Sequence, residues 1–107
     1  MSAWTVEVDS RAMEDFRAIR RSEARLILRA ARERLSADPR AETRNMKTLR
    51  PNPIAQRELR LFGKYRVLFT VNEAERRVLI FVGGEKRGQS LFVRGRRFTH
   101  YENHPTT

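Results

Sequence analysis

The fold of this chain is decided by residues 56–82, which read QRELRLFGKYRVLFTVNEAERRVLIFV. Apolar residues alternate with charged ones along much of this stretch, a pattern typical of β-strands that bury one face. Gly63 and the pair Asn72–Glu73 stand where the alternation breaks and the chain can reverse. The stretch therefore predicts three short antiparallel strands joined by two tight turns.

The middle strand of this meander predicts a sheet with two different faces. Its odd-numbered residues from 65 to 71 are all apolar or aromatic, and its even-numbered residues include Arg66. On the same count, Arg60 of the preceding strand shares the face of Arg66. In the third strand, Val78 and Val82 are expected on one common face. One sheet face can then pack against helices, while the other carries arginines among apolar side chains.

The residues before the meander predict a strand followed by a helical hairpin. Residues 4–8 alternate as an opening strand whose Trp4 faces inward. Apolar residues then recur every three or four positions in residues 10–21 and again after Ser22, which we interpret as the cap of a second helix. That helix should end before Asp38–Pro39. Residues 40–55 predict a loop, and the whole predicts an α+β fold in which a helical hairpin covers one side of the meander.

The residues after the meander predict a glycine-rich basic turn and a polar tail. Residues 83–89 read GGEKRGQ, and residues 90–93 fit either a short helical turn or an edge strand. Residues 94–107 are polar and are expected to be a flexible tail. The chain is therefore interpreted as a single domain spanning residues 1–107.

Composition and charge restrict the function. The chain has 23 lysine and arginine residues against 13 acidic ones, a formal net charge of +10, which favours nucleic acid or an acidic protein as partner. It has no cysteine and no apolar run long enough to span a bilayer, so we expect a cytoplasmic protein that does not bind membranes. His100 and His104 lack a third ligand candidate, and neither a metal nor another cofactor is predicted.

Cations on the second sheet face suggest chemistry on a phosphodiester. Lys86 and Arg87 leave the third strand near the end where Arg60 and Arg66 lie, and such a group could stabilise the negative charge of a five-coordinate phosphorus. With RNA, the substrate's own 2′-hydroxyl can attack, and a lysine whose pKa is lowered by neighbouring cations can move the proton. The alternative is a basic sheet that binds nucleic acid or an acidic peptide without any chemistry.

Four stretches together resemble the RelE/ParE superfamily of toxins from type II toxin–antitoxin systems. They are Asn45–Leu49, Glu58–Arg60, Gly63–Phe69 and Val82–Arg87. The resemblance implies a microbial RNase-like fold and a cognate antitoxin protein as partner. In the RelE branch it implies cleavage of mRNA on the ribosome, and in the ParE branch it implies inhibition of DNA gyrase without RNA cleavage.

The resemblance also implies roles for individual residues. The positions that match catalytic cations of the family are Arg60, Arg66 and either Lys86 or Arg87. The predicted substrate-binding residues are Lys47, Lys64, Tyr65 and Phe92. The chain departs from the family pattern at Gln56 and Glu58, where lysines are common. It also departs at Phe92, where a catalytic tyrosine is common and for which Tyr101 or His100 could substitute.

From the resemblance as a whole we expect a metal-independent, ribosome-dependent mRNA endoribonuclease. The alternatives are a gyrase poison and a non-catalytic nucleic-acid-binding module.

Overall fold

The computed structural model describes residues 4–99. Two helices and seven strands follow one another as β1 (Thr5–Val8), α1 (Ser10–Arg17), α2 (Arg21–Ala37), β2 (Met46–Thr48), β3 (Arg57–Leu61), β4 (Tyr65–Asn72), β5 (Arg77–Arg87), β6 (Ser90–Val93) and β7 (Arg96–Arg97). The predicted α+β class, with an opening strand, a helical hairpin and a meander, is confirmed.

The sheet is built around β5, which is its longest strand. Strands β2 to β7 are hydrogen-bonded in sequence order, each antiparallel to its neighbour. The first half of β5 also pairs with β1, in parallel, from Arg77 to Ile80, and its last residues, Glu85 to Arg87, pair with β6. β1 and β6 therefore follow one another along the same side of β5.

The helices differ from the prediction at the C-terminal end of α1 and the N-terminal end of α2. Asp9 caps α1, because its carboxylate accepts a hydrogen bond of 3.0 Å from the backbone N–H of Arg11. α1 ends at Arg17, earlier than predicted, and α2 begins directly after Arg20, which offers no side-chain cap. The predicted capping role of Ser22 is therefore wrong. α2 ends at Ala37, before Asp38–Pro39, as predicted.

The main hydrophobic core lies between the two helices and one sheet face. Phe16 of α1 and Ile27 of α2 pack there with Val67, Phe69 and other apolar residues of the sheet. The opposite face carries a second, smaller cluster in which residues of the segment before β3, such as Leu49, Ile54 and Ala55, cover the strands. The face predicted to be free of helices is therefore partly covered by a loop.

A β-bulge in β5 changes which of its residues share a face. Leu68 of β4 pairs with Val82, whereas the next residue, Phe69, pairs with Ile80, so that Phe81 is extra. Val82 consequently joins the second cluster instead of the face of Val78 and Ile80. The prediction that Val78 and Val82 share a face is wrong for this reason.

Gly83 and Gly84 are strand residues, so the predicted glycine-rich turn at residues 83–89 begins too early. A Cβ atom on Gly83 would lie 2.6 Å from the ring of Phe16, and one on Gly84 would lie 2.7 Å from the backbone oxygen of Phe92. These glycines therefore permit close packing of α1 and β6 on β5. The chain reverses later, around Gly88, whose φ is +59°.

Two short strands, β2 and β7, were not predicted from the sequence, and a third, β6, was one of two alternatives. β2 lies inside the predicted loop, with Met46 buried, and residues 90–93 form a strand between β5 and β7. The tail predicted from residue 94 begins too early, because Arg96–Arg97 form β7 and Phe98 packs on the second cluster. Its remainder from residue 100 lies outside the described residues. Within residues 4–99, no helix has the length and apolar character needed to cross a membrane.

Candidate functional site

Arg60 and Arg66 lie directly opposite each other on β3 and β4, on the sheet face away from the helices. Arg66 in turn faces Gly84 of β5, and Lys86 lies two residues further on the same face. Glu58 lies two residues before Arg60 and therefore also on this face. We call Glu58, Arg60, Arg66 and Lys86 the arginine cluster.

Glu58 holds the two arginines together. One oxygen of its carboxylate lies 3.4 Å from Nε of Arg60, and the other lies 3.4 Å from Nε of Arg66. The side chains of Glu58 and Arg66 are only 3% and 8% exposed, whereas that of Arg60 is 30% exposed. A buried carboxylate requires such partners, since an unpaired buried charge is strongly unfavourable. Arg60 is thus the accessible arginine of the pair, and Arg66 lies beneath it.

Sequence reasoning missed the part played by Glu58, which was noted only as a departure from the lysines expected there. The signal was present in the spacing, because residues 58 and 60 of a strand share a face. A carboxylate next to Arg60 on that face was therefore predictable. Its burial was not, because burial depends on the segment that covers the neighbouring strands.

Arg66 is held in place by two groups of the protein. Its Nη1 donates a hydrogen bond of 3.0 Å to the backbone oxygen of Tyr65. Its Nε is buried and makes no hydrogen bond, although it lies within ion-pair distance of Glu58. This Nε therefore faces the buried carboxylate of Glu58, which balances its charge.

Lys86 has an environment that disfavours its charge. Burial, and after it the positive charge of Arg66, lower the pKa of Lys86 below its ordinary value. Arg60 lowers this pKa as well, while the carboxylate of Glu58 opposes the shift. Lys86 is therefore the member of the cluster best suited to give up and take back a proton.

Arg87 does not join the cluster. Its guanidinium lies over the ring of Phe92, 4.7 Å from the ring centroid, and 3.3 Å from the carboxylate of Glu85. Glu85 and Phe92 face each other across β5 and β6, on the helix side of the sheet. Of the two cations that the sequence could not distinguish, only Lys86 lies with Arg60 and Arg66.

Lys64 and Tyr65 also belong to the helix side. The Tyr65 ring is buried in the main core, and its hydroxyl donates a hydrogen bond to the carboxylate of Glu23 on α2. Nζ of Lys64 lies 5.2 Å from the Tyr65 ring centroid and 3.7 Å from Glu85. With Arg87 and Phe92, these residues line a cavity of about 310 Å³, separate from the arginine cluster.

Lys47 extends the arginine cluster at its outer edge. It lies on β2 directly opposite Glu58, and its side chain is exposed.

The eight residues predicted for the site divide equally between the two faces of the sheet. The face away from the helices has Lys47, Arg60, Arg66 and Lys86, and the other four lie on the opposite face. His100, Tyr101 and His104 lie outside the described residues.

A larger cavity of about 670 Å³ lies between α1 and the second cluster. Asp15 of α1 is buried at its wall, where its carboxylate accepts a hydrogen bond of 3.1 Å from the N–H of Gly83 and pairs with Nε of Arg94 at 3.0 Å. Burial raises the pKa of Asp15 above 3.8, against the opposing effects of Gly83 and Arg94. This carboxylate links α1, β5 and the β6–β7 turn.

The arginine cluster is chemically suited to a phosphate group. It combines two guanidinium groups and one ammonium group with a single carboxylate, so its net charge remains positive. Guanidinium groups bind phosphate oxygens through paired, charge-assisted hydrogen bonds. Within residues 4–99, no group of three or more His, Cys, Asp or Glu side chains could hold a metal ion.

Comparison with known proteins identifies the fold. No family model and no curated protein matches the chain. One similar solved structure is the toxin–antitoxin complex RelBE2 from Mycobacterium tuberculosis, with 23% sequence identity, a TM-score of 0.68, and coverage of 80% of this chain and 94% of the other. Another is the archaeal RelE–RelB complex from Pyrococcus horikoshii OT3, with 21% identity, a TM-score of 0.62, and coverage of 82% and 99%. In both, the similar chain is the RelE toxin, and the predicted RelE-like fold is confirmed.

Proposed function

We propose that this protein is the toxin of a type II toxin–antitoxin system and that it cleaves mRNA on the ribosome without a metal ion. The observation that carries this proposal is the arginine cluster, in which Glu58 holds Arg60 and Arg66 side by side with Lys86 on the same face. The similarity in fold to RelE chains from toxin–antitoxin complexes supports it.

The scissile phosphate would bind first to Arg60, the accessible guanidinium group of the cluster, with the amine of Lys86 beside it. Arg66 lies deeper, with its Nε buried against Glu58, and contributes its positive charge. The developing charge on phosphorus then faces the guanidinium groups of Arg60 and Arg66, which are already in place. Such preorganised charge is commonly the largest contribution to catalysis of this kind.

The 2′-hydroxyl of the RNA serves as the nucleophile. Its oxygen forms a bond to phosphorus while the bond from phosphorus to the 5′-oxygen breaks, and the products are a 2′,3′-cyclic phosphate and a 5′-hydroxyl end. Lys86 in its neutral form takes the proton from the 2′-hydroxyl, and the leaving 5′-oxygen takes a proton from water. The lowered pKa of Lys86 increases the fraction of neutral amine available for this step. Glu58 is too deeply buried to touch the substrate and acts as a positioning residue.

The test is induced expression in a bacterial host, with growth measured and the 5′ ends of transcripts mapped. The wild-type protein should arrest growth and produce new 5′-hydroxyl ends in translated mRNA. Arg60→Gln should abolish both effects, whereas the matched control Arg29→Gln, at an exposed position on α2, should retain them. Growth arrest with intact mRNA and a DNA-damage response would indicate a gyrase poison instead. No arrest at all would leave a non-catalytic binding module.

A cognate antitoxin is part of the same proposal. The formal net charge of +10 favours an acidic partner segment, and the similar RelE chains come from complexes with RelB. We expect the protein encoded by a neighbouring open reading frame to restore growth when it is co-expressed and to co-purify with this chain. Failure of every neighbouring gene product to do so would contradict the antitoxin part of the proposal.

A further inference from the structure

Phe62 occupies the tip of the turn between β3 and β4 and is largely exposed. In the part of the chain from residue 4 to 99, Leu26 and Phe62 are the large apolar residues with more than half of their surface exposed, at 53% and 62%. The backbone N–H of Lys64 donates to the oxygen of Leu61, which closes a turn with Phe62 and Gly63 at its centre. An exposed phenyl ring at this place adds nothing to either hydrophobic cluster.

The backbone conformation at Phe62 is also unfavourable for its residue type. Its φ is +54°, and that of Gly63 is +76°. Two successive residues with positive φ are the pattern of a type I′ turn, for which glycine and asparagine are preferred. A bulky residue in the left-handed region is strained, and strain of this kind persists most often at functional sites. Since folding gains neither burial nor relaxed geometry from the ring, its use is expected to lie in binding.

The turn adjoins the arginine cluster. Phe62 follows Arg60 by two residues, so their Cα atoms are at most about 7 Å apart. The backbone N–H of Lys86 donates to the oxygen of Lys64 at 2.7 Å, so the cationic end of β5 lies against the same turn. An apolar ring thus stands at the edge of a group of cations, which is the combination that binds single-stranded nucleic acids.

We infer that Phe62 is a stacking platform for an unpaired base of single-stranded RNA whose adjacent phosphate is held by the arginine cluster. This inference rests on the proposed function, because it takes an RNA phosphate to bind at Arg60 and Lys86. The cations around the turn favour RNA over an apolar protein segment as the occupant, since a phosphate must lie within reach of any base on the ring. The inference adds a contact to the base itself, which the cluster does not provide.

The direct test uses tryptophan fluorescence in the Phe62→Trp variant. The native Trp4 is 5% exposed and lies between the guanidinium groups of Arg40 and Arg76, so it is shielded from added RNA. A short single-stranded RNA oligonucleotide should quench the fluorescence of the variant and leave that of the wild-type protein unchanged. An abasic oligonucleotide of the same length should bind without quenching. RNA binding without quenching would overturn the inference and leave the proposed function intact.

The second test compares affinities by fluorescence anisotropy of a labelled single-stranded RNA. Phe62→Asn should weaken binding about tenfold, because a base–aromatic stack contributes this much or more. The same change should raise the melting temperature by about 4 °C, because asparagine tolerates positive φ. A loss of affinity therefore cannot come from unfolding. The matched control Leu26→Asn, at the other exposed apolar side chain, should leave the affinity unchanged.

The remaining outcomes also decide the question. If Phe62→Asn binds RNA as the wild type does but no longer binds the antitoxin, Phe62 is a protein contact and the inference is overturned. If the wild-type protein neither binds nor cleaves RNA, the proposed function fails and the inference fails with it. The fluorescence and affinity tests separate these two cases, because the first leaves RNA binding in place.

Discussion

Lys86 and Arg87 are consecutive in the chain, yet they lie on opposite faces of the sheet. Lys86 lies beside Arg66, whose charge helps to lower the Lys86 pKa, whereas Arg87 stacks on Phe92 on the helix side. The bulge at Phe81 causes this assignment, because it shifts every later residue of β5 to the other face. The two side chains therefore provide a matched pair for testing which face is functional.

We expect Lys86→Met to reduce toxicity and RNA cleavage about 100-fold or more, because a general base contributes at least this much. Arg87→Met, which removes the same charge from the opposite face, should stay within about threefold of the wild type. Cleavage is measured by primer extension on a translated mRNA with equal amounts of each folded variant. Equal losses in both variants would show that overall charge, and not the arginine cluster, governs the activity.

Removal of Arg66 alone should destabilise the protein. Arg66→Ala leaves the buried carboxylate of Glu58 with fewer compensating charges, and we expect a loss of about 3 kcal/mol in the free energy of unfolding. The double variant Glu58→Leu/Arg66→Leu removes both charges and should recover most of that loss. Urea denaturation measures both. A double variant less stable than Arg66→Ala would contradict the claim that the uncompensated buried carboxylate of Glu58 causes the loss.

Gly83→Ala should destabilise the protein by about 2 kcal/mol, because the added methyl group overlaps the ring of Phe16. In a Phe16→Ala background the same change should cost less than about 1 kcal/mol, since the conflicting ring is absent. Thermal denaturation of the four proteins in this cycle tests the contact. Additive effects would mean that Gly83 is required for some reason other than the approach of α1.

The raised pKa of Asp15 predicts a pH dependence of stability. Between 3.8 and the raised pKa, Asp15 binds more protons in the folded state than in the unfolded state, so its contribution to stability falls as the pH rises through this interval. Asp15→Asn lacks this titration and keeps an oxygen for the Gly83 N–H. We expect the two proteins to be similarly stable below pH 3.8 and the variant to become the more stable one above the raised pKa.

The measurement for Asp15 is the urea midpoint of both proteins from acid to neutral pH. A difference that is independent of pH would contradict the prediction. So would a variant that becomes less stable than the wild type as the pH rises, since that would mean that the pair with Arg94 outweighs the cost of burying the carboxylate.

Local patterns predicted the two helices, β1 and the three strands of the meander, and they placed two of the site residues. Apolar residues recur in α2 with the helical period of 3.6 and in β4 with the strand period of 2. These periods correctly predicted one helix and two sheet faces. The same alternation placed Arg60 and Arg66 on a common face. Arg87 was grouped with them because it leaves β5 near the same end, and Lys64, Tyr65 and Phe92 through the family resemblance. Neither argument carries information on the face of the sheet.

The sequence by itself determined the α+β class, the order of the main helices and strands, and the common face of Arg60 and Arg66. Each of these depends on residue spacing within one helix or along one or two adjacent strands. The tertiary structure alone decided that Lys86 rather than Arg87 completes the cluster and that Glu58 is buried within it. A bulge shifts the face of every residue after it, and its position depends on how β5 packs between β4 and its other neighbours. Burial of a charge likewise depends on how strands and loops pack around it in three dimensions, which no local pattern records.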